Sequence, residues 1–259
     1  MTLDNKIAIV TGAARGIGRA TVERLARDGA DVALFDIRPE VAEVAQAVEA
    51  MGRRASTQIV DIADPEAVQA GVAAAATEIG PADILANVAG IVANIAPLVR
   101  MTPEKWDWEL GVNLSGAFNM IQATIPAMIE KGWGRIVNVS STAARGGLPG
   151  QIGYSASKAG LLGVARNVAI EHGRHGITCN SVLPGFIETE NVLAMPVEMR
   201  EGLMAASPVG RFGTVDEIAN VIAFLCGPES GYLNGAEIDV DGGHQLNTMT
   251  LASRKAYKK

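Results

Sequence analysis

The chain has 259 residues, of which 48% are hydrophobic and 19% are charged. This composition excludes a disordered chain, which needs low hydrophobicity and high net charge, and it is sufficient for one large core. The net charge is −6, whereas nucleic-acid-binding proteins usually carry a basic surface, so we expect no nucleic-acid partner. Cys179 and Cys226 match neither a disulfide framework nor a metal motif, so we expect two buried free thiols and no metal site.

Short apolar runs alternate with helical patterns, beginning with a strand at Lys6–Thr11 and a helix at Ile17–Asp28. Further strands are predicted at Asp31–Asp36, Ala55–Asp61, Asp83–Asn87, Arg135–Ser140, Ile177–Leu183 and Ala236–Val240. Further helices are predicted at Pro39–Met51, Asp64–Ile79, Thr102–Glu130, Tyr154–His172 and Thr214–Cys226. The alternation predicts an α/β, Rossmann-type doubly wound fold, in which a seven-stranded parallel sheet carries helices on both faces of a single domain.

Two segments stand outside this alternation, the irregular and apolar 186–213 and the C-terminal tail 244–259. The uncharged stretches Gly111–Ile129 and Ile84–Val99 hold several polar residues, and the second is shorter than the ~20 residues that a membrane span needs. The N-terminus has an acidic residue and a short apolar run, which does not match a secretory signal peptide. We therefore expect a cytoplasmic protein that does not insert into a membrane.

A glycine-rich turn, TGAARGIG, joins the first predicted strand to the first helix. Gly12 permits a sharp turn, Gly16 lets the backbone approach a ligand, and Gly18 lets the helix lie close to the strand. The helix N-terminus then offers free N–H groups to a pyrophosphate. Because a strand precedes this turn and a helix follows it, the pattern predicts a dinucleotide site.

A tyrosine and a lysine four residues apart, Tyr154 and Lys158, lie on one face of a predicted helix. An ammonium that close is expected to stabilise the phenolate and to lower the pKa of the tyrosine from about 10. Such a tyrosine can exchange a proton with a carbonyl or an alcohol near neutral pH. Ser141 ends the fifth predicted strand, where ligands bind in open α/β sheets, and can polarise the same oxygen.

The turn, together with Asn87-Val88-Ala89-Gly90 and the Tyr154/Lys158 pair, closely resembles the fingerprint of the short-chain dehydrogenase/reductase family, with Val88 in place of an asparagine. The resemblance runs from Ile7 to Gly243 and implies that residues 1–243 form one dinucleotide-binding and catalytic domain. It implies a catalytic tetrad in which Asn113 holds a water that links the lysine to solvent; the tetrad is Asn113, Ser141, Tyr154 and Lys158. The implied cofactor contacts are Gly12, Arg15, Gly16, Ile17, Gly18, Asp36, Asp61, Ile62, Asn87, Ala89, Gly90, Tyr154, Lys158, Pro184, Gly185, Ile187 and Thr189.

The choice between NAD and NADP depends on Asp36, which ends the second strand 18 residues after Gly18. A carboxylate there can accept hydrogen bonds from the adenosine ribose, and it repels a 2′-phosphate. Arg15 and Arg38 instead favour NADP, because either could neutralise such a phosphate. The acid stands where the phosphate would have to lie, so NAD is the expected cofactor and NADP the less favoured one.

The substrate is the least determined part of the site. Phe186–Gly213 is expected to form a lid whose methionines and leucines either cover an apolar pocket or pack as helix core. The expected substrate contacts are Ser141, Gln151 and Tyr154, with further wall residues at 91–95. Arg145 is the cation nearest to Ser141 along the chain and could receive a carboxylate.

These features predict an NAD(H)-dependent oxidoreductase that interconverts a secondary alcohol and a ketone, on a small, mostly apolar hydroxy or keto compound or a hydroxyacyl thioester. The sequence is also similar to 3-oxoacyl-(acyl carrier protein) reductases, so an NADPH-dependent reductase of fatty-acid synthesis is an alternative. The basic residues with which that group receives its carrier protein correspond here to Gly132 and His175, which weakens this alternative. A non-catalytic nucleotide sensor or scaffold is a third possibility, against which the intact tetrad argues.

The resemblance also implies a homotetramer built on the two long helices after the fourth and fifth strands. The apolar faces expected at the interface are Ala117, Met120, Ile121 and Thr124 on one helix and Leu161, Leu162 and Ala165 on the other. Four cations in the tail, Arg254, Lys255, Lys258 and Lys259, are expected to be solvated.

Overall fold

The structure is a computed structural model, and it describes residues 2–92 and 95–246. Its strands are β1 (Ile7–Thr11), β2 (Asp31–Asp36), β3 (Ala55–Ile59), β4 (Ile84–Asn87), β5 (Gly134–Val139), β6 (Ile177–Pro184) and β7 (Glu237–Val240). They pair in parallel in the order β3-β2-β1-β4-β5-β6-β7, so the order reverses between β1 and β4. The predicted seven-stranded, doubly wound parallel sheet in a single domain is confirmed.

The helices pack on both faces of this sheet. They are α1 (Gly16–Arg27), α2 (Val41–Ala50), α3 (Pro65–Ile79), α4 (Pro103–Leu110), α5 (Gly116–Lys131), α6 (Ala143–Gly146), α7 (Ile152–His172), α8 (Glu190–Leu193), α9 (Val197–Ala206) and α10 (Val215–Cys226). One core holds buried residues of α1, α2 and α10, such as Leu25, Val44 and Ile222. The other holds residues of α3 and α5, such as Val68 and Met120. Ligands of such sheets bind beyond the carboxyl ends of the strands at the point where the order reverses.

The helix predicted over Thr102–Glu130 is present, since the backbone is helical from Pro103 to Lys131, but its hydrogen-bond pattern changes halfway. A π-helical turn at Gly111–Ser115 separates α4 from α5, and the Gly116 N–H donates to the Gly111 carbonyl. Asn113 lies in this turn and is 1% exposed. Turns of this kind are frequent at functional sites, because the extra residue moves one side chain out of helical register.

The predicted interface faces are also wrong, because they pack inside this chain. The exposed fractions of these residues are between 0% and 6%; the residues are Ala117, Met120, Ile121, Thr124, Leu161, Leu162 and Ala165. The exposed apolar side chains of the same helical region are instead Trp108, Phe118 and Ile170, at 56%, 49% and 79%. The sequence pattern located the apolar stripe of each helix correctly but assigned it to a partner rather than to the sheet.

The segment 186–213 contains two helices, α8 and α9, rather than irregular chain. No residue of α9 is buried. The start of the tail lies beside this segment, because the His244 ring packs edge-on against Phe186 with 5.3 Å between the ring centres. The remainder of the tail, 247–259, lies outside the described residues, together with its four cations.

The amino end of the sheet is closed by charged pairs. The Asp83 carboxylate accepts hydrogen bonds from the Ile7 N–H at 2.9 Å and from Lys131 Nζ at 2.8 Å. Asp31 pairs with both Arg53 and Arg54, at 3.1 and 2.8 Å. These pairs join the starts of β2 and β4 to the chain that leads into the neighbouring strands β3 and β5, and they lie at the opposite edge from the predicted site.

Two further expectations concern the cysteines and membrane-spanning helices. Cys179 and Cys226 are buried free thiols, as predicted, and burial raises the pKa of each to about 12, so both stay protonated at neutral pH. In the part of the chain that the structure describes, no helix is long and apolar enough to cross a membrane.

Candidate active site

The glycine-rich turn packs so tightly that Gly12 and Gly18 cannot be replaced without displacing backbone. A Cβ at Gly12, where φ is +66°, would lie 2.9 Å from Ala89 Cα, and one at Gly18 would lie 1.9 Å from the Gly12 carbonyl oxygen. Gly16 also has a left-handed φ, +55°. Arg15 precedes α1 and makes no side-chain capping hydrogen bond to the first turn of α1. This open helix N-terminus beside a tight turn fits the pyrophosphate of a dinucleotide.

Thr11, the first residue of the TGAARGIG motif, has a structural role in this turn. Its hydroxyl accepts hydrogen bonds from the Val88 N–H at 3.0 Å and the Ala89 N–H at 3.1 Å. It thereby fixes the glycine-rich turn to the end of β4. A lone hydroxyl at the end of an apolar strand is the signal that could have indicated this role.

Asp36 is held at the edge of the same turn by two backbone donors. Its Oδ2 accepts from the Ala14 N–H at 2.9 Å and its Oδ1 from the Arg38 N–H at 3.0 Å. Arg15 donates from Nη1 to Oε2 of Glu190 at 2.9 Å. Of the two cations that could favour a 2′-phosphate, Arg15 is therefore engaged with a carboxylate of α8.

The Lys158 ammonium is buried, with 3% of the residue exposed, and donates to the Val139 carbonyl at 2.8 Å. Its Nζ lies 5.7 Å from the centre of the Tyr154 ring. The hydroxyls of Tyr154 and Ser141 are hydrogen-bond partners. Ser140, on the opposite side of the strand, donates from Oγ to the Lys158 carbonyl at 2.7 Å and so attaches α7 to the end of β5.

Asn113 completes this cluster from the π-helical turn. Its Oδ1 accepts from the Ile91 N–H at 2.7 Å, while its Nδ2 donates to the Ile91 carbonyl at 2.8 Å and to Ser157 Oγ at 3.2 Å. Gly90 lies between the two catalytic candidates, since a Cβ there would be 3.1 Å from Lys158 Nζ and 3.3 Å from Asn113 Oδ1. The structure thus brings the four tetrad residues together, although the amide of Asn113 is engaged with Ile91. A water held by Asn113 stays a prediction.

The pKa values correct one expectation. Burial lowers the pKa of Lys158 to about 8. The pKa of Tyr154 is raised above 10, first by burial and further by the charge of Glu109, while its hydrogen bond to Ser141 opposes this rise. The expected lowering by Lys158 is wrong for this arrangement, because the ammonium is directed at the Val139 carbonyl and the tyrosine is removed from water.

Three predicted cofactor residues have structural partners of their own. Asn87 Nδ2 donates to Asn138 Oδ1 at 2.9 Å, which braces β4 against β5. The Ile62 side chain packs against Gly116 of α5, so it is buried. Asp61 Oδ1 accepts from the Ala63 N–H at 2.9 Å, at the turn that follows β3. Asn87 is the last residue of β4, and Asp61 and Ile62 follow the end of β3, so all three lie at the carboxyl edge of the sheet, as a cofactor contact requires.

The segment after β6 crosses from the sheet to the glycine-rich turn. A Cβ at Gly185 would lie 2.9 Å from Asp241 Cα, so glycine is required by close backbone packing. Ile187 is buried, and the Cβ position of Gly16 is 3.8 Å from Thr189 Cγ2. The segment therefore borders the predicted dinucleotide site at Gly16, the start of α1.

The predicted substrate side is mainly apolar. Gln151 immediately precedes α7 and is half-buried. A shallow pocket beside it is lined by Ala96, Leu98, Gly147, Leu148, Gly150, Ile152 and Ser155. Within the predicted wall 91–95, residues 93–94 lie outside the described residues. Across residues 2–92 and 95–246, no three His, Cys, Asp or Glu side chains converge as a metal site would require.

Arg145 is not available to receive a carboxylate substrate. Its guanidinium donates to Glu237 Oε2 at 2.8 Å and to Asp239 Oδ2 at 2.7 Å, both on β7. Arg166 also pairs with Glu237. Sequence proximity to Ser141 suggested a role in the site, but the cation serves to join α6 to the edge strand.

Comparison with known proteins identifies the class to which this fold and site belong. A family model described as enoyl-(acyl carrier protein) reductase matches residues 12–245. The chain belongs to the classical short-chain dehydrogenase/reductase family, whose members act as NAD(P)-dependent oxidoreductases on CH–OH groups. The resemblance seen in the glycine-rich turn and the Tyr154/Lys158 pair is confirmed.

Individual relatives cover nearly the whole chain. It is 40% identical over 244 residues to the 3-oxoacyl-(acyl carrier protein) reductase of Thermotoga maritima, covering 94% of this chain and 99% of that protein. Among solved structures, levodione reductase has a TM-score of 0.89 at 33% identity and covers 93% of this chain and 97% of its own. Carveol dehydrogenase from Mycobacterium avium, in complex with NAD, has a TM-score of 0.90 at 29% identity, and the match covers 94% of this chain and 99% of that one.

Proposed function

We propose that the protein is an NAD-linked dehydrogenase that interconverts a secondary alcohol and a ketone. The proposed substrate is a small, mostly apolar hydroxy or keto compound, or a hydroxyacyl thioester. The observation that carries this proposal is the meeting of the Tyr154 and Ser141 hydroxyls beside buried Lys158, with Gly90 between Lys158 and Asn113. Paired hydroxyls beside a buried ammonium are suited to binding and protonating a carbonyl oxygen.

In this mechanism the bound dinucleotide supplies or accepts a hydride. Ser141 hydrogen-bonds the carbonyl oxygen, and Tyr154 donates its proton to that oxygen during reduction and takes it back during oxidation. The raised pKa of Tyr154 keeps the phenol protonated before reduction. Lys158 is held by the Val139 carbonyl next to Gly90, where its ammonium would bind ribose hydroxyls.

Asp36 supports NAD as the preferred cofactor. Two backbone N–H groups fix its carboxylate beside the glycine-rich turn. A 2′-phosphate placed there would meet this negative charge, while Arg15 is paired with Glu190 and gives less compensation. The NAD-bound carveol dehydrogenase structure is consistent with this preference in a similar chain.

An apolar substrate is supported by the side chains near Gln151 and by the engagement of Arg145 with β7. The segment 186–213 is proposed as the lid, because α9 buries none of its residues in the body of the protein while Leu193 and Met199 are about half exposed, at 50% and 54%. An exposed apolar helix beside a site can cover a substrate of the same character.

A second candidate is an NADPH-dependent 3-oxoacyl-(acyl carrier protein) reductase. The Thermotoga maritima relative, 40% identical over almost its full length, bears that name. Against it stand Asp36, which disfavours NADPH, and the absence of a basic side chain at Gly132. A 3-oxoacyl thioester assayed with NADPH and with NADH separates the two candidates.

The test is a paired screen of NAD and NADP oxidation over secondary alcohols, with 3-oxoacyl thioesters included in the reverse direction. We expect turnover with NAD above that with NADP on an apolar alcohol. The Tyr154→Phe variant should lose turnover by ~10²–10⁴-fold while still binding cofactor. Substantial activity in that variant would contradict the assigned mechanism, and a preference for NADPH with 3-oxoacyl thioesters would favour the second candidate.

We also propose that the protein assembles as a homotetramer, through surfaces other than those first expected. Trp108 and Phe118, which flank the π-helical turn, are about half exposed and offer apolar contact area. Sedimentation of the wild-type protein and of a Phe118→Lys variant tests this. A tetramer that persists unchanged in the variant would exclude Phe118 from the interface.

A further inference from the structure

One carboxylate near the site is buried although no motif singles it out. Glu109, on α4, is 0% exposed, whereas Glu104 on the same helix is exposed. Its side chain packs against Gly153 of α7. A Cβ built at Gly153 would lie 2.2 Å from Glu109 Oε2 and 3.4 Å from Glu109 Cβ. The carboxylate therefore occupies the space that any larger residue at 153 would need.

This contact falls on the first turn of α7, directly before Tyr154. Gln151, which precedes α7, provides no side-chain cap, and the first turn of α7 contains no acidic residue. The N-terminal end of a helix carries a partial positive charge and is stabilised by a nearby anion. Glu109 supplies such an anion from a neighbouring helix rather than from α7 itself.

We propose that Glu109 is a positioning residue for the reaction, which holds the first turn of α7 and keeps Tyr154 placed as a proton donor. The inference rests on the proposed role of Tyr154. Glu109 touches neither substrate nor cofactor in this scheme, and it acts on Tyr154 through the helix turn against which it packs and through its charge. Gly153 is its necessary complement, because the buried carboxylate leaves no room there for a side chain.

Three polar groups face Tyr154 from the elements around it. Lys158 lies on α7, the helix that also carries Tyr154, and its Nζ is 5.7 Å from the centre of the tyrosine ring. Ser141 lies in the loop after β5, and Glu109 lies on α4. The charge of Glu109 adds to burial in raising the pKa of Tyr154. A protonated phenol assists reduction of a ketone, whereas oxidation of an alcohol needs the phenolate. Glu109 therefore favours the reductive direction at a given pH.

The first test removes the charge and keeps the shape. In Glu109→Gln, the pH at which alcohol oxidation reaches half its maximum should fall, because the phenolate becomes easier to form. Glu104→Gln removes the same charge from an exposed position on the same helix and should leave the profile unchanged. An unchanged profile in Glu109→Gln would overturn the proposal, since a merely structural role does not move a pH profile.

The second test measures the Glu109–Gly153 contact by thermal unfolding and does not depend on enzyme activity. Gly153→Ala should lower the melting temperature of the otherwise wild-type chain by about 5 °C, because the added methyl collides with the buried carboxylate. In a Glu109→Ala background, where that space is empty, the same substitution should cost much less. Equal losses in both backgrounds would overturn the Glu109–Gly153 contact. Retained activity in Tyr154→Phe would instead defeat the proposed function and leave this thermal result intact.

Discussion

The two ends of the parallel sheet both bury charged side chains, but they neutralise them differently. At the amino end, the Asp83 carboxylate meets the Lys131 ammonium directly at 2.8 Å. At the carboxyl end, the Lys158 ammonium donates to the neutral carbonyl of Val139. A buried ammonium without an opposite charge beside it keeps the full cost of its removal from water, and burial lowers the pKa of Lys158 to about 8.

This difference separates stability from activity along the strand direction. Substitutions at the carboxyl end are expected to remove turnover with little loss of stability, and those at the amino end are expected to do the opposite. Each of the following four experiments tests one side of this contrast.

Lys158→Met should have the largest effect. It removes the ammonium that lies against Gly90 and beside Tyr154, so turnover should fall by ~10²–10⁴-fold. Stability should hold or rise, because a buried charge without a charged partner is replaced by an apolar side chain of similar length. Steady-state kinetics and thermal unfolding of the same preparation check both parts. A large drop in melting temperature would contradict the contrast between the two ends.

The same lysine should make stability depend on pH in the alkaline range. Its pKa is about 8 in the folded chain and 10.5 when the side chain is in water, so between these values the unfolded chain holds a proton that the folded chain has released. The free energy of unfolding should therefore rise with pH over this interval, by about 3 kcal/mol in total. Urea unfolding at several pH values measures it. Lys158→Met is the control, and it should lack this rise; identical pH slopes would contradict the prediction.

Asp83→Ala should be the counterpart at the amino end. It leaves the Ile7 N–H and Lys131 without their carboxylate, and the free energy of unfolding should fall by about 1–3 kcal/mol. The value of kcat/KM should stay within about twofold of the wild type, because the site is at the other edge of the sheet. Denaturant unfolding and kinetics test both. A loss of activity without a loss of stability would reverse the contrast.

Asp36→Asn should have the smallest effect, because it should change the preference between NAD and NADP without abolishing turnover. Removing the charge should raise the NADP to NAD ratio of kcat/KM by about tenfold, the equivalent of about 1.4 kcal/mol. Kinetics with both cofactors measure the ratio. Asp216→Asn, an exposed substitution on α10, serves as the control and should leave the ratio unchanged. An unchanged ratio in Asp36→Asn would remove the basis for expecting NAD.

The elements with the strongest local signals were predictable. Strands β4, β5 and β6 are buried along their whole length, and each includes a pair of adjacent large apolar residues that indicates a buried strand; the pairs are Ile84-Leu85, Ile136-Val137 and Val182-Leu183. Asp64 and Thr214 were expected to begin helices, and both side chains accept hydrogen bonds from the following turn. In these cases the deciding interactions lie within a few residues of each other along the chain.

The remainder depended on contacts between distant parts of the chain. Arg145 pairs with Glu237, 92 residues away, so its neighbourhood in sequence was misleading. Glu109 appears as an ordinary polar residue on an amphipathic helix, and only the packing of α4 on α7 shows that it is buried. The pKa of Tyr154 is raised chiefly by burial, and the spacing of residues along the sequence does not show how deeply a side chain is buried.

The π-helical turn at Gly111–Ser115 also constrains the length of the chain. Because an α-helix advances 100° per residue, one residue more or fewer here would rotate the whole of α5 by about that angle. Met120 and Thr124 would leave the core, and Asn113 would leave Ile91. A single-residue deletion that regularises the helix would therefore cost both the sheet packing and the site. This short stretch should be among the places in the molecule least tolerant of insertions and deletions, although it looks like a local irregularity.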